Sequence, residues 1–234
     1  MIASKIGMIY FYFVSPGVVC HETGHALGCI ITGAKIIEFV PFRPQRETLG
    51  YVAYRWTWGH PIWWNIAAVI ISTGPIWFGS IVICGFTMLF PNNNIIIVLQ
   101  DYFYQSSRFV GLDYYLCIFI ASLKMLKSLF YVWRWTSPWL FIYIYGMFCV
   151  ASEMQLSDID IKGMWKGIVF IVIFFMLVNL IPFANNLIDY TISSMKPFLF
   201  IVQTILSLAL LLDFFFLACL YILKIIFGRK NHAR

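Results

Sequence analysis

The apolar run from Ile6 to Ile31 contains three residues that a hydrophobic helix rarely carries, His21, Glu22 and His25. On a helix, His21 and His25 lie about 40° apart around the axis and roughly 6 Å apart along it, so both imidazoles face one point. Glu22 lies about 100° around the axis from His21, beside that point. The spacing His-Glu-x-x-His therefore predicts a helix whose two histidines share a metal ion next to a carboxylate.

Composition places this helix in a lipid bilayer. Hydrophobic residues make up 62% of the 234 positions and charged residues only 11%. A soluble domain carries about 25% charged residues. Several apolar runs approach the length of about 20 residues that crosses a membrane. The net charge of +6 is spread along the chain, without the dense basic stripe of a nucleic-acid site. We therefore expect a multi-pass integral protein of the cell membrane that binds no nucleic acid.

The membrane setting favours a function for the motif. Placing a charged side chain at the centre of a bilayer costs about 2.5–3.5 kcal/mol of insertion free energy. An acid in such a position therefore usually has a function. The pattern favours Zn²⁺ held by His21 and His25, with Glu22 as the general base that takes a proton from a water at the metal. Because a catalytic zinc needs three protein ligands, a third ligand must come from elsewhere in the chain.

Residues that are favoured at helix termini mark both ends of the motif helix. Ser15 is a good N-cap and Pro16 is favoured at the first helical position, so the helix is predicted over residues 16–32. Gly33 follows as the expected stop signal, because glycine adopts the left-handed conformation at helix C-termini. The preceding apolar residues are too few to cross the membrane alone.

Two glycines mark the face of the motif helix that can pack most closely. Gly24 and Gly28 lie four positions apart and so share one side of the helix. Without side chains at these positions, a neighbouring helix or strand can approach backbone to backbone.

The segment after the motif helix is expected to form a β-hairpin over residues 34–58. Two β-prone runs flank a polar connection that contains proline, which is the pattern of a hairpin. Pro41 lacks a backbone N–H, which places its strand at an edge. The alternative is an ordinary surface loop.

Four more apolar stretches predict the remaining membrane-spanning helices, at 62–90, 137–151, 164–183 and 197–227. Pro75 is expected to kink the first of them. The stretch Tyr114–Arg134 carries lysines at close intervals and is expected to be interfacial or a short span. The fold class is therefore all-α, with five to six transmembrane helices, one short β-hairpin and a single domain over residues 1–234.

The region Cys20–Lys35 resembles the site-2 protease family of intramembrane zinc metalloproteases. The family pattern is His-Glu-x-Gly-His, a turn rich in small residues and a glycine twelve positions after the first histidine. The matching residues are His21, Glu22, Gly24, His25, Ala26 and Gly33. The pair Gly74-Pro75 in the next span also looks like the family. The resemblance implies an intramembrane zinc metalloendopeptidase that cleaves membrane-embedded or membrane-proximal proteins.

The resemblance leaves more than one acid open as the third zinc ligand. The family's Asn-x-x-Pro signature is similar to Asn179 and Pro182, and the next acid after it is Asp189. Divergent relatives carry a Ser-x-x-Asp motif between late spans, which Ser157 and Asp160 resemble. Each alternative places the ligand on a different helix.

Two further observations bear on this choice. The membrane zincins that process prenylated proteins carry a later Glu-x-x-x-Asp, but Glu153 and Asp158 are one residue too far apart for it. Ser157 and Asp160 also match a capping box at a helix start. Both roles are compatible, because a capping carboxylate keeps its second oxygen free. Among Asp160, Asp189, Asp158 and Glu153, we predict Asp160 as the ligand.

The implied reaction is zinc-assisted hydrolysis of a peptide bond, with Glu22 moving a proton from water to the leaving amine. A helical substrate must unwind first, and an edge strand of the hairpin can capture the extended segment. The alternatives are a catalytically inactive membrane scaffold of the same family and a prenyl-protein-type membrane zincin. A metal transporter is disfavoured because the predicted spans hold no histidine outside the motif.

The positive charges predict the orientation of the chain. One group flanks the hairpin and a second group ends the chain: Lys35, Arg43, Arg46 and Arg55, then Lys224, Arg229, Lys230 and Arg234. Both groups should be cytoplasmic, so the number of spans between them should be even. Cysteine-accessibility labelling should therefore find residues 43 and 231 on the same face of the membrane. Labelling on opposite faces would contradict this orientation.

Overall fold

The structure is a computed structural model that describes residues 2–44, 49–57, 59–89, 97–102, 111–132, 138–178 and 182–228. It is mostly helical, with one two-stranded antiparallel sheet. The main elements are α1 (Ile2–Thr32), β1 (Lys35–Val40), β2 (Tyr51–Arg55), α2 (Pro61–Ser72), α3 (Gly74–Leu89), α4 (Leu112–Val132), α5 (Pro138–Ser152), α6 (Asp158–Val178) and α7 (Pro182–Gly228).

Three stretches within the described residues are long and apolar enough to cross a bilayer. They are Pro61–Leu89, which joins α2 and α3, Asp158–Val178, which is α6, and Phe198–Ala218 within α7. Helix α5 is apolar but shorter. Large hydrophobic side chains are exposed along most of α6, as expected where lipid replaces water as the solvent.

Helix α1 is longer than predicted, since it begins at Ile2 and continues through Pro16. A proline inside a helix cannot donate to the carbonyl four residues earlier, which here belongs to Tyr12. The hydroxyl of Ser15 donates to that carbonyl oxygen at 2.8 Å instead. Ser15 therefore repairs the backbone within the helix and does not cap its start.

The predicted end of α1 is confirmed. Gly33 has a φ of 76°, the left-handed conformation that glycine adopts without strain. The N–H of Ala34 donates to the carbonyl of Cys29 at 2.9 Å, which closes the helix in a Schellman-type arrangement. The chain then turns directly into β1.

The predicted hairpin is confirmed as strands β1 and β2. The register pairs Lys35 with Arg55 and Val40 with Tyr51, and a bulge at Ile37 shifts the pairing between them. The hairpin lies against α1, because both strands contact that helix. Strand β2 therefore runs beside the helix that carries the motif.

The predicted close approach at Gly24 and Gly28 is also confirmed. A Cβ atom at Gly24 would lie 2.6 Å from the carbonyl carbon of Gly74, and one at Gly28 would lie 2.8 Å from the Cα of Ile71. The backbone of α1 is thus in direct contact with α2 and with the start of α3. The expected kink is the break between these two helices at Thr73.

Two later helices begin earlier than predicted. Helix α6 begins at Asp158 rather than at residue 164, because Ser157 and Asp160 cap its first turn. Helix α7 begins at Pro182 rather than at residue 197, and so includes the polar stretch between the last two predicted spans. Proline suits the first position of a helix, since the N–H that it lacks would have no partner there.

The core lies between α3, α4, α5 and α7. Its largest fully buried side chains include Ile83, Met125, Tyr143, Met147 and Leu208. Of the two alternatives for helix α4, an interfacial helix or a short span, the packing favours the second. One of its faces, with Cys117, Ala121 and Met125, is buried, and the helix contacts α7. It is therefore part of the helical bundle.

Two glycines of α3 allow a matched test of the contact with α1. A Cβ at Gly74 would lie 2.9 Å from the backbone nitrogen of His25, whereas a Cβ at Gly85 meets nothing within 4 Å. We expect Gly74→Ala to destabilise the purified protein by about 1–3 kcal/mol, the usual cost of overpacking. Gly85→Ala should leave the thermal unfolding temperature unchanged or slightly higher. Equal behaviour of the two variants would show that the contact is not tight.

Candidate metal centre

The two histidines of the motif point at each other from successive turns of α1. Their Nε2 atoms lie 3.1 Å apart. The Nδ1 atom of His21 donates to the backbone carbonyl of Glu153 at 2.6 Å, and the Nδ1 atom of His25 donates to that of Ile71 at 2.8 Å. Because a carbonyl oxygen can only accept, both Nδ1 atoms carry a proton.

This arrangement leaves the Nε2 atom of each neutral imidazole with a free lone pair. Two lone pairs that face each other at 3.1 Å repel unless a cation or a proton lies between them. A ring Nδ1–H donated to a carbonyl is also the usual support of a metal-binding histidine, because it fixes the tautomer and the ring orientation. The pair could therefore serve as two ligands of one metal ion.

Asp160 completes the group from the first turn of α6. Its Oδ2 accepts from the backbone N–H and the hydroxyl of Ser157, at 3.0 Å and 2.6 Å. The hydroxyl oxygen of Ser157 in turn accepts from the N–H of Asp160 at 3.2 Å, which makes a capping box. The other oxygen, Oδ1, lies 3.4 Å from the Nε2 atom of His25. One carboxylate therefore caps the helix and faces the histidines.

The geometry of the group suits a small divalent cation. One ligand atom each from His21, His25 and Asp160 lie within 4.8 Å of one another, so the three residues can hold a metal ion. A tetrahedral zinc with bonds of about 2.0–2.1 Å spaces its ligand atoms about 3.3 Å apart. The observed distances of 3.1 Å and 3.4 Å lie on either side of that spacing.

Glu22 lies beside this group and is covered by the hairpin. Only 7% of its surface is exposed. A Cβ atom at Gly50 would lie 2.6 Å from the Cγ of Glu22 and 3.0 Å from its Oε1, so the chain just before β2 rests on this side chain. Glycine at position 50 therefore lets the hairpin approach the carboxylate closely.

A cavity of about 300 Å³ opens over the metal group. His21, Glu22, His25 and Asp160 line it together with strand β2 and the end of α2. Tyr54 of β2 is one of the lining residues, and burial raises the pKa of its hydroxyl, which therefore remains a hydrogen-bond donor. The cavity is large enough for a few residues of an extended peptide.

Of the other acids considered as ligands, Asp158 and Glu153 do not join the group. Asp158 is exposed at the start of α6, and Glu153 contributes its backbone carbonyl rather than its carboxylate. Burial raises the pKa of the Glu153 carboxyl. The side chain of Asp189 lies outside the described residues, as does Asn179. His60 is the N-cap of α2, where its ring accepts from the N–H of Ile62 at 3.3 Å.

Sequence reasoning missed three contributors to the site. The carbonyls of Ile71 and Glu153 orient the histidines, and Gly50 allows the hairpin to cover Glu22. A backbone carbonyl carries no residue identity, so no sequence signal marks the first two. The glycine between the polar connection and β2 was visible, but its contact depends on tertiary packing.

Asp160 can be tested as a metal ligand with three companion variants. We expect Asp160→Ala to weaken zinc affinity at least about tenfold, since even the loss of a supporting residue around a metal costs that much. Ser157→Ala should lose about 1 kcal/mol of stability with its cap. It should weaken zinc binding less than Asp160→Ala does, because the backbone N–H of Ser157 still donates to the carboxylate. Asp158→Ala, in the same turn, and Asp189→Ala should both bind zinc normally. The measurement is zinc stoichiometry and chelator competition on the purified variants. Full zinc in Asp160→Ala together with its loss in Asp189→Ala would reverse the assignment.

Comparison with known proteins finds no match for this chain. No protein-family model, no curated protein and no solved structure matches it. The function proposed below therefore rests on the residues of the site and on their geometry.

Proposed function

We propose that the protein is an intramembrane zinc metalloendopeptidase. The observation that carries this proposal is the convergence of His21, His25 and the free oxygen of Asp160 beside the buried carboxylate of Glu22. Three protein ligands leave one position open for water or substrate, which is the arrangement of a catalytic rather than a structural zinc site.

The donor set favours zinc over the other common metals. Two neutral imidazoles and one carboxylate are typical zinc ligands, whereas magnesium and calcium prefer oxygen ligands alone. When bound, zinc lowers the pKa of a water to about 7 and polarises the carbonyl of the peptide bond. His21 and His25 are held ready for this role by their Nδ1–H bonds to carbonyl oxygens.

Glu22 acts as the general base and then as the general acid. Its carboxylate takes one proton from the attacking water while the water oxygen bonds to the scissile carbonyl carbon. It then gives that proton to the amide nitrogen as the C–N bond breaks, so that the leaving group departs as an amine. The cover provided by Gly50 keeps bulk water away from Glu22.

Strand β2 is the element that we expect to bind the substrate. A peptide bond within a helix is shielded because its carbonyl accepts a hydrogen bond, so the substrate must be extended at the site of cleavage. Strand β2 pairs only with β1 in the described sheet, and it lines the cavity with Tyr51, Val52 and Tyr54. An extended segment can add to this strand through backbone hydrogen bonds.

We place the protein in the cell membrane as a multi-pass protein with five to six spans, surrounded by lipid. The spans are α1, the α2–α3 pair, α5, α6 and α7. The number of spans is five if helix α4 does not cross the membrane and six if it does. Its 21 residues extend over about 31 Å, which is long enough to cross. The substrates are membrane-embedded or membrane-proximal proteins.

The general-base role of Glu22 can be tested by replacing it with glutamine. Glu22→Gln should bind zinc as the wild type does but cleave at least about a hundredfold more slowly, the low end for the loss of a general base. The measurement is quantitative mass spectrometry of protein termini in cells that express either form, with metal content measured on purified protein. Asp113→Asn, at an exposed acid in the first turn of α4, is the matched control and should cleave normally. Wild-type turnover in Glu22→Gln would exclude this mechanism.

A further inference from the structure

A second cavity, of about 250 Å³, adjoins the first across the motif. Both cavities are lined by His21, Glu22, Gly50 and Ser157. The second is completed by residues of α1, of the hairpin connection and of the turn between α5 and α6: Val18, Leu49, Glu153, Gln155 and Leu156. The motif residues His21 and Glu22 therefore lie where the two cavities meet.

The two cavities follow one another along both α1 and the hairpin. On α1, Val18 lines the second cavity and His25 lines the first. These residues are about 10 Å apart along the helix, the length of about three residues of extended chain. On the hairpin, Leu49 and Tyr54 line the second and the first cavity in the same order. A peptide extended along β2 would pass from one cavity to the other over Glu22.

The walls of the two cavities differ in chemistry. Apart from the motif residues and Asp160, the first is lined mainly by aromatic and aliphatic side chains such as Tyr54 and Ile71. The second contains the half-buried Glu153 and the amide of Gln155. The side chain of Glu153 lies against α1, since a Cβ at Gly17 would be 2.9 Å from its Cγ. Beyond the catalytic residues, the second cavity therefore adds a carboxylate and the first does not.

The described part of the chain supplies no cation to Glu153. No lysine or arginine is among the described residues that line either cavity, and the described ion pairs leave its carboxylate without a basic partner. A carboxylate in a partly dehydrated cavity is stabilised by a charged donor, which forms stronger hydrogen bonds than a neutral one. A lysine or arginine side chain of the substrate could supply such a donor.

We propose that the second cavity is a specificity subsite that binds a lysine or arginine side chain of the substrate, close to the scissile bond. The inference rests on the proposed function and names its substrate class. The preferred substrate is a segment whose apolar part occupies the first cavity and whose basic flank enters the second. Such a sequence occurs where a membrane-spanning helix meets its cytoplasmic flank, which is rich in lysine and arginine.

The first experiment offers the purified protein in detergent a proteome-derived peptide library and sequences the products by mass spectrometry. We expect lysine and arginine to be enriched about tenfold at one position within about three residues of the cut, as suits one charge-assisted hydrogen bond. Glu153→Gln should lose this enrichment and Glu153→Lys should replace it by a preference for acids. Asp158→Asn, a nearby exposed acid outside both cavities, is the matched control and should keep it. Zinc content should be unchanged in all three variants.

The second experiment measures binding without cleavage, using Glu22→Gln. Two synthetic peptides are compared, a leucine run followed by lysines and the same run followed by glutamines. We expect the lysine peptide to bind about tenfold more tightly, and the difference to vanish in the Glu22→Gln/Glu153→Gln double variant. The double variant has the same zinc ligands, so a general loss of the site would not produce this selective effect.

The outcomes separate this inference from the proposed function. Cleavage without a basic preference, or with a preference that Glu153→Gln leaves intact, would overturn the subsite and leave the peptidase. Absence of cleavage by the wild type, together with lysine-selective binding that depends on Glu153, would overturn the peptidase and leave the subsite. Absence of cleavage with equal binding of both peptides would overturn both.

Discussion

The hydrogen bonds from the Nδ1 atoms of His21 and His25 connect the chemistry of the site to its fold. One reaches the turn after α5 at the carbonyl of Glu153, and the other reaches α2 at the carbonyl of Ile71. Each imidazole is thus oriented by backbone atoms of a different element. The direction of the free lone pairs depends on the relative positions of α1, α2 and the α5–α6 turn, and any shift of one element rotates a ligand.

The close contacts of α1 keep these elements within hydrogen-bond reach. Gly24 and Gly74 meet backbone to backbone, and the backbone of Gly17 lies against the carbonyl of Cys149. Side chains at these positions would separate α1 from α3 and from α5 by more than the hydrogen bonds can tolerate. In a bilayer, such close packing is also a main source of helix association, because burying apolar surface gains little there.

Local features of the site could be predicted from the sequence. Helical periodicity alone places His21 and His25 on one face, and the capping box marks Asp160 at the start of α6 with one oxygen to spare. The hairpin and the end of α1 at Gly33 follow from turn chemistry. These predictions succeed because each depends on residues that are near one another in the chain.

The remaining features depend on contacts that the sequence does not display. Helix α1 continues through Pro16 because the hydroxyl of Ser15 satisfies a carbonyl that the proline cannot. The polar stretch after Pro182 is helical although it lies outside the predicted spans. The partners of the histidines are main-chain carbonyls, which are identical in every residue. The cover of Glu22 by Gly50 arises only when the hairpin folds back on α1.

Asp160 lies on helix α6, which packs mainly against α2 in the described structure. The rest of α6 faces outward along most of its length. A ligand carried by such a peripheral helix links metal occupancy to the docking of that helix, because a metal that binds the docked form shifts the equilibrium toward it. By the same linkage, displacement of α6 by lipid or by an entering substrate would weaken the hold on the metal. Metal binding and the docking of α6 on the bundle are therefore thermodynamically coupled.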